Sequence, residues 1–213
     1  CKSEIMKAAP LIGISRHRLS TDGEGVTTLV AFHGCPLRCK YCLNPQSLHS
    51  EDIWKHYDCG QLYEEVKQDE LYFLATHGGI TFGGGEPCLQ SDFIDEFRQL
   101  CGQEWQLSVE TSLNVAQENI EKLVPVVDSY IIDIKDINNA IYQKYTGKDN
   151  EKVLHNLQYL IDHGKNEQII VRTPVIPAYN TENDVDYSIR LLKEMGINQS
   201  DRLTYKTPNN CQP

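Results

Sequence analysis

The sequence contains no apolar run approaching the length of a membrane-spanning helix, which points to a soluble protein. It has no surplus of basic residues either. Twenty Lys and Arg stand against thirty Asp and Glu, a formal net charge of −10. Proteins that bind a phosphate backbone carry a basic face that displaces counterions, so nucleic acid is excluded as the main ligand and a small molecule or another protein is expected. There is no internal repeat, low-complexity tract or Pro/Gly/Ser-rich linker, so nothing divides the 213 residues. One domain over 1–213 is expected, with segment 1–26 leading into it; the length suffices for a substantial core. Nothing resembling a signal peptide precedes the cysteines, which predicts a reducing, cytoplasmic setting.

What the sequence does contain is an alternation of short β-branched runs with longer amphipathic stretches. The runs Thr27–Phe32, Gly79–Phe82, Gln106–Thr111, Ser129–Ile134, Gln168–Thr173 and Arg202–Lys206 read as buried parallel strands. Between them Val153, Leu154, Leu157, Leu160 and Ile161 recur at helical spacing before Gly164. Phe93, Phe97 and Leu100 form a second stripe behind a Ser91 cap, and Val185, Ile189 and Leu192 a third between Thr181 and Gly196. Residues 60–76 and 115–124 complete the helical set. Six β/α units are too few for a closed eight-fold barrel, so the pattern predicts an α/β fold with parallel strands, a partial (β/α)6 TIM-like barrel. In such a fold the active site lies at the C-terminal ends of the strands.

The chemistry-bearing motifs fall at those ends. Of eight cysteines, Cys35, Cys39 and Cys42 lie within eight residues just after the first predicted strand, a metal-ligand spacing. Three thiolates are one fewer than a [4Fe–4S] cluster usually takes from protein, which leaves one iron open to a substrate. A zinc site completed by His33, His49 or Cys59 is the alternative. After the second strand comes Gly83-Gly84-Gly85-Glu86-Pro87. Its glycines allow close backbone approach and its Glu offers a carboxylate suited to an ammonium group; a plain glycine-rich turn is the other reading. Cys59, Cys88, Cys101 and Cys211 are scattered and read as unreactive thiols.

Together the Cys-x₃-Cys-x-aromatic-Cys loop, with Tyr41 as the aromatic, and the Gly84-Gly85-Glu86-Pro87 segment resemble the radical S-adenosylmethionine superfamily. Within it the chain is most similar to the activating enzymes of glycyl-radical enzymes, of the pyruvate formate-lyase activating type, from about residue 12 to 205. Asp22-Gly23-Glu24-Gly25-Val26, Glu110-Thr111, Asp133-Ile134-Lys135 and the segment from Arg172 to Pro177 carry the rest of that likeness. Thr27, Glu110 and Thr204-Tyr205-Lys206 stand where relatives have Arg, Asp and Pro-Tyr-His.

The resemblance implies an enzyme that binds a [4Fe–4S] cluster through Cys35, Cys39 and Cys42, these being its catalytic and metal-binding residues. It implies that Tyr41, Gly84, Gly85, Glu86, Glu110, Thr111, Asp133, Lys135 and Arg172 contact S-adenosyl-L-methionine. Read from the residues alone, Asp133 with Lys135, and Arg172 with a neighbouring acid, fit structural ion pairs equally well. The implied partners are a glycyl-radical enzyme, whose glycine gives up a hydrogen atom, and an external one-electron donor such as flavodoxin or ferredoxin. Modification of a ribosomal peptide or a small molecule is the alternative within the superfamily, and a non-catalytic iron–sulfur or zinc module the alternative outside it.

Overall fold

A computed structural model of the chain describes residues 8–19 and 22–205. Cys1, Cys211 and Lys206, with the end of the sixth predicted strand, lie outside the described residues. Its strands form one open eight-stranded sheet, and the chain divides into two compact units.

The first unit holds the described residues up to Cys35, together with 44–111 and 116–131. It begins with two strands, β1 (Ala9–Leu19) and β2 (Val26–Phe32), paired antiparallel. A short β3 (Lys55–Tyr57) pairs antiparallel with the start of β1. Neither β1 nor β3 is among the strands read from sequence. β1 carries Arg16, His17 and Arg18, and two register shifts interrupt its alternation; β3 is only three residues long. Next comes α1 (Cys59–Val66), started by a capping box between Asp58 and Gln61, followed by α2 (Glu70–Thr76).

The single helix expected over 60–76 is therefore two, broken by a 3₁₀ turn at Lys67–Asp69. The break lets the Asp69 carboxylate, 1% exposed, accept from Arg16 at 2.8 and 2.7 Å and from the Thr28 hydroxyl at 2.8 Å. β4 (Gly79–Gly84) runs parallel to β2, and after α3 (Ser91–Cys101) β5 (Gln106–Thr111) runs parallel to β4. Ser91 is the first helical residue of α3 rather than its cap; Glu86 caps the preceding 3₁₀ turn, Pro87–Gln90, by accepting from Cys88 N–H. α4 (Gln117–Leu123) precedes β6 (Ser129–Asp133). The core of this unit is aromatic: Phe32 stacks on Phe82 at 5.5 Å, and Phe97 and Phe73 pack on Trp105.

The second unit holds residues 36–43, 112–115 and the described residues from Ile132 on. It contains α5 (Asn139–Thr146), α6 (Glu151–Asp162), β7 (Ile169–Val175), α7 (Glu182–Glu194) and β8 (Gln199–Thr204), with β8 parallel to β7. The stripe read in α6 buries Val153, Leu157 and Leu160 fully, and Thr181 starts α7 through a capping box with Asp184. α5 was not expected. Its buried face consists of Tyr142, Tyr145 and Thr146 instead of aliphatic residues, so no helical stripe marks it.

The strand order is β3-β1-β2-β4-β5-β6-β7-β8. The six strands read from sequence are thus consecutive members of a mostly parallel sheet, as a partial barrel requires, with two antiparallel strands added at one edge.

Candidate active site

Gly84 and Gly85 are dictated by the chain's own backbone. At the end of β4, Gly84 adopts φ +91°, and a Cβ there would stand 2.9 Å from Ala31 of β2. A Cβ on Gly85 would stand 2.2 Å from the Gly34 carbonyl oxygen. Glycine alone permits this approach, and backbone hydrogen bonds close it. Gly85 N–H donates to Phe32 O at 2.9 Å, Glu86 N–H to Gly34 O at 2.8 Å, and Gly34 N–H to Ser47 O at 2.9 Å. The Asn44 side chain adds a bond to Gly84 O at 3.0 Å. The residue next to Cys35 is thus stitched to the Gly84-Gly85-Glu86 segment, so two motifs fifty residues apart form one rigid piece of the first unit.

Glu86 is 1% exposed. Its Oε1 accepts the Thr111 hydroxyl at 2.6 Å and Cys88 N–H at 3.2 Å. The Cys88 thiol donates in turn to Thr111 Oγ1 at 3.3 Å, and burial, aided by the Glu86 charge, pushes its pKa well above the ordinary value. The Glu86 carboxylate therefore orders its own segment. Glu110, beside Thr111, is half-buried and lies over Gly83, whose Cβ would stand 3.5 Å from Glu110 Oε2.

In the second unit the C-terminal end of α5 brackets Cys39. Arg38 N–H donates to Thr146 O at 2.8 Å and Lys40 N–H to Tyr145 O at 3.2 Å. These carbonyls lack intrahelical donors, so the cysteine loop completes the helix. Tyr41 donates its hydroxyl to Pro177 O at 3.3 Å, and its ring packs edge-on against Tyr145 (6.1 Å) and Tyr179 (5.7 Å).

Lys135 is buried just past the end of β6. Its ammonium donates to Asp133 Oδ2 at 2.9 Å and to the Tyr205 hydroxyl at 2.6 Å. Burial opposes its charge, but Asp133, Tyr205 and the nearby Cys39 outweigh that and raise its pKa well above the usual lysine value. The ion pair open in the sequence is present, with a third member, Tyr205, that spacing along the chain does not reveal. Burial raises the Cys39 thiol pKa against the opposing pull of Lys135. Arg172 lies at the middle of β7, not at its end, and its carbonyl accepts from Ile134 N–H at 3.0 Å.

Cys35 belongs to the first unit and Cys39 and Cys42 to the second; all three are half-buried. Among the described residues no three His, Cys, Asp or Glu side chains gather as closely as a single metal ion needs. A cluster has a different requirement, because it takes its thiolates on separate irons. The surroundings fit such a group. The Tyr145 hydroxyl, on the helix whose last carbonyls bracket Cys39, is buried with no hydrogen-bond partner among the described residues. Sequence reading missed this tyrosine, because nothing in the motif spacing points to α5. It also missed Leu113, two residues past Thr111, which is fully buried with φ +58° and has its carbonyl held by Asn156 at 2.9 Å. A bulky residue rarely adopts this left-handed conformation.

Strand-end motifs and a three-cysteine loop on an open, mostly parallel sheet define an α/β enzyme of the partial-barrel kind. The chain belongs to the Radical SAM superfamily, which it matches over residues 29–192. Its relatives include the (2S)-3-sulfopropanediol dehydratase activating enzyme of Klebsiella oxytoca, 30% identical over 82% of this chain and 74% of that protein. The pyruvate formate-lyase 1-activating enzyme of Escherichia coli is 28% identical over 83% and 72%. The pyruvate formate-lyase-activating enzyme of Listeria monocytogenes is 31% identical over 88% and 78%. It is a radical SAM enzyme of the activating type that these relatives represent.

Among solved structures, Streptococcus suis SuiB bound to S-adenosylmethionine shares the fold with a TM-score of 0.65 at 13% identity, covering 85% of this chain and 43% of that one. The native anSMEcpe structure with bound AdoMet does so with a TM-score of 0.59 at 18% identity, covering 84% and 52%. The chain thus spans less than half of the SuiB chain. No helix among the described residues is long and apolar enough to cross a membrane.

Proposed function

We propose that this protein reductively cleaves S-adenosyl-L-methionine at a [4Fe–4S] cluster held by Cys35, Cys39 and Cys42, and removes a hydrogen atom from a glycine of a partner glycyl-radical enzyme. The observation that carries this reading is the three-cysteine loop inside the Radical SAM match, in a chain 28–31% identical to these three activating enzymes. Bound there, the cluster supplies the electron that splits the sulfonium into methionine and a 5′-deoxyadenosyl radical. An external donor such as flavodoxin or ferredoxin provides that electron, and the setting is cytoplasmic.

The chain's own residues bind and orient. Lys135 has three N–H donors and gives two to Asp133 and Tyr205, so the third suits the cofactor's carboxylate, with Arg172 as a second cation. Asp133 and Glu110 offer acceptors for hydroxyl or ammonium groups, and the Tyr41 ring offers an adenine a stacking face. The Gly84-Gly85-Glu86 segment, ordered by Thr111, presents backbone carbonyls to the amino group. The reacting glycine comes from a loop of the partner.

Anaerobically reconstituted protein should carry about four irons and four sulfides per chain. With dithionite it should convert S-adenosylmethionine to 5′-deoxyadenosine. With a candidate glycyl-radical enzyme it should then give a doublet electron paramagnetic resonance signal, and deuterium on the target glycine should appear in 5′-deoxyadenosine. Stoichiometric zinc without sulfide would overturn the cluster assignment. Cofactor cleavage that never yields the doublet or the label with any candidate would overturn the glycine assignment.

A further inference from the structure

The Lys135 ammonium is held at two points. Asp133 accepts from it at 2.9 Å and the Tyr205 hydroxyl at 2.6 Å, and the ammonium lies 5.2 Å from the centre of the Tyr205 ring. Asp133 is the local partner, two residues away at the end of β6. Tyr205, just past β8, is 70 residues away and is itself fixed. Its backbone N–H donates to Val175 O at 3.0 Å, at the end of β7, and its ring packs on Tyr145 at 6.5 Å.

A lysine ammonium is a point charge on a flexible four-carbon stem. With Asp133 alone it would pivot about its bond to Oδ2, and its other N–H groups would have no set direction. A second acceptor removes that freedom and leaves one N–H with a fixed aim. This second acceptor is also neutral. Asp133 already balances the Lys135 charge, so another carboxylate here would repel an anionic ligand, whereas a phenol adds an anchor and no charge. A donor ordered before the ligand arrives binds it more tightly than one that must be ordered on binding.

We infer that Tyr205 is a positioning residue of the cofactor site: by anchoring Lys135 it aims the remaining N–H at the carboxylate of S-adenosyl-L-methionine. The inference rests on the cofactor assignment proposed above. It adds to that assignment a residue that acts through Lys135 and touches no reacting atom.

The test is equilibrium binding to the anaerobically reconstituted, oxidised protein, so that no turnover enters the readout. Two probes isolate the carboxylate: S-adenosylmethionine, and its decarboxylated form, which keeps the sulfonium, the amine and the adenosine. Tyr205→Phe removes only the hydroxyl. It should keep full iron, bind S-adenosylmethionine about tenfold more weakly and bind the decarboxylated form as wild type does. In a Lys135→Met background the same change should weaken binding no further, because no ammonium remains to be aimed. Tyr205→Leu, which also lacks the hydroxyl, serves equally if the Phe variant loses iron. Tyr130→Phe, which removes a buried hydroxyl unpartnered among the described residues, is the control and should match wild type with both probes. Unchanged affinity for S-adenosylmethionine in Tyr205→Phe, an equal loss for both probes, or a further loss in the Lys135→Met background overturns the inference alone. A wild-type protein that does not bind S-adenosylmethionine, or binds it no better than the decarboxylated form, overturns the cofactor assignment of Lys135, and this inference with it.

Discussion

The Thr111 hydroxyl at the end of β5 donates to the Glu86 carboxylate beyond β4 at 2.6 Å, joining two strand ends through a pair of buried side chains. A residue whose motif suggests ligand binding thus has a structural duty as well. Glu86→Ala should leave the Thr111 hydroxyl and the Cys88 N–H without their acceptor and cost about 1–3 kcal/mol of stability. Urea unfolding of the metal-free protein checks this. A variant as stable as wild type would show that Glu86 serves the cofactor only.

The approach of Gly85 to Gly34 makes a second prediction. Gly85→Ala must push the segment away from the Gly34 carbonyl and should destabilise the protein by about 1–3 kcal/mol, with iron uptake falling alongside. Gly13→Ala, where a Cβ meets nothing within 4 Å, is the control and should be neutral or slightly stabilising. Equal thermal midpoints for the two variants would refute the close-approach argument.

The cysteines should separate by role. Replacing Cys35, Cys39 or Cys42 by Ala should abolish cluster assembly, whereas Cys101→Ala should leave it intact. Burial pushes the Cys101 thiol up to about 11 and holds Cys59 higher still. Thiolate is the reactive form, so iodoacetamide should label Cys101 slowly at pH 8 and faster as pH nears 11. Rapid labelling at pH 8 would contradict its raised pKa.

Asp69 predicts an acid limit on stability. Burial works against its charge, but the hydrogen bonds from Arg16 and Thr28 outweigh that and hold its pKa below the ordinary aspartate value. A carboxyl with a depressed folded-state pKa stabilises above its unfolded pKa, about 3.9, and that contribution disappears as pH falls through the lower folded value. Wild type should therefore lose stability on acidification below about pH 4, whereas Asp69→Asn should start less stable and show a shallower loss. Parallel pH profiles for the two would exclude Asp69 as a source.

The order of β/α units, the helices with aliphatic stripes and the cysteine spacing were determined by the sequence itself. Each depends on local periodicity or on ligands that must lie close along the chain. Gln106–Thr111 matches its strand residue for residue, and the Val153–Ile161 stripe lies within α6. The glycine pair was legible as a site of close approach, though not what it approached.

Only the tertiary structure decided that Glu86 is held by Thr111, 25 residues away, and that Lys135 is shared with Tyr205, 70 residues away. It alone revealed α5, whose tyrosine face carries no aliphatic period, and the clamp of its last carbonyls around Cys39. The reason is physical. Periodicity reports which face of an element is buried, whereas the partner of a buried polar group is chosen by whatever the fold brings within hydrogen-bond distance, at any separation along the chain.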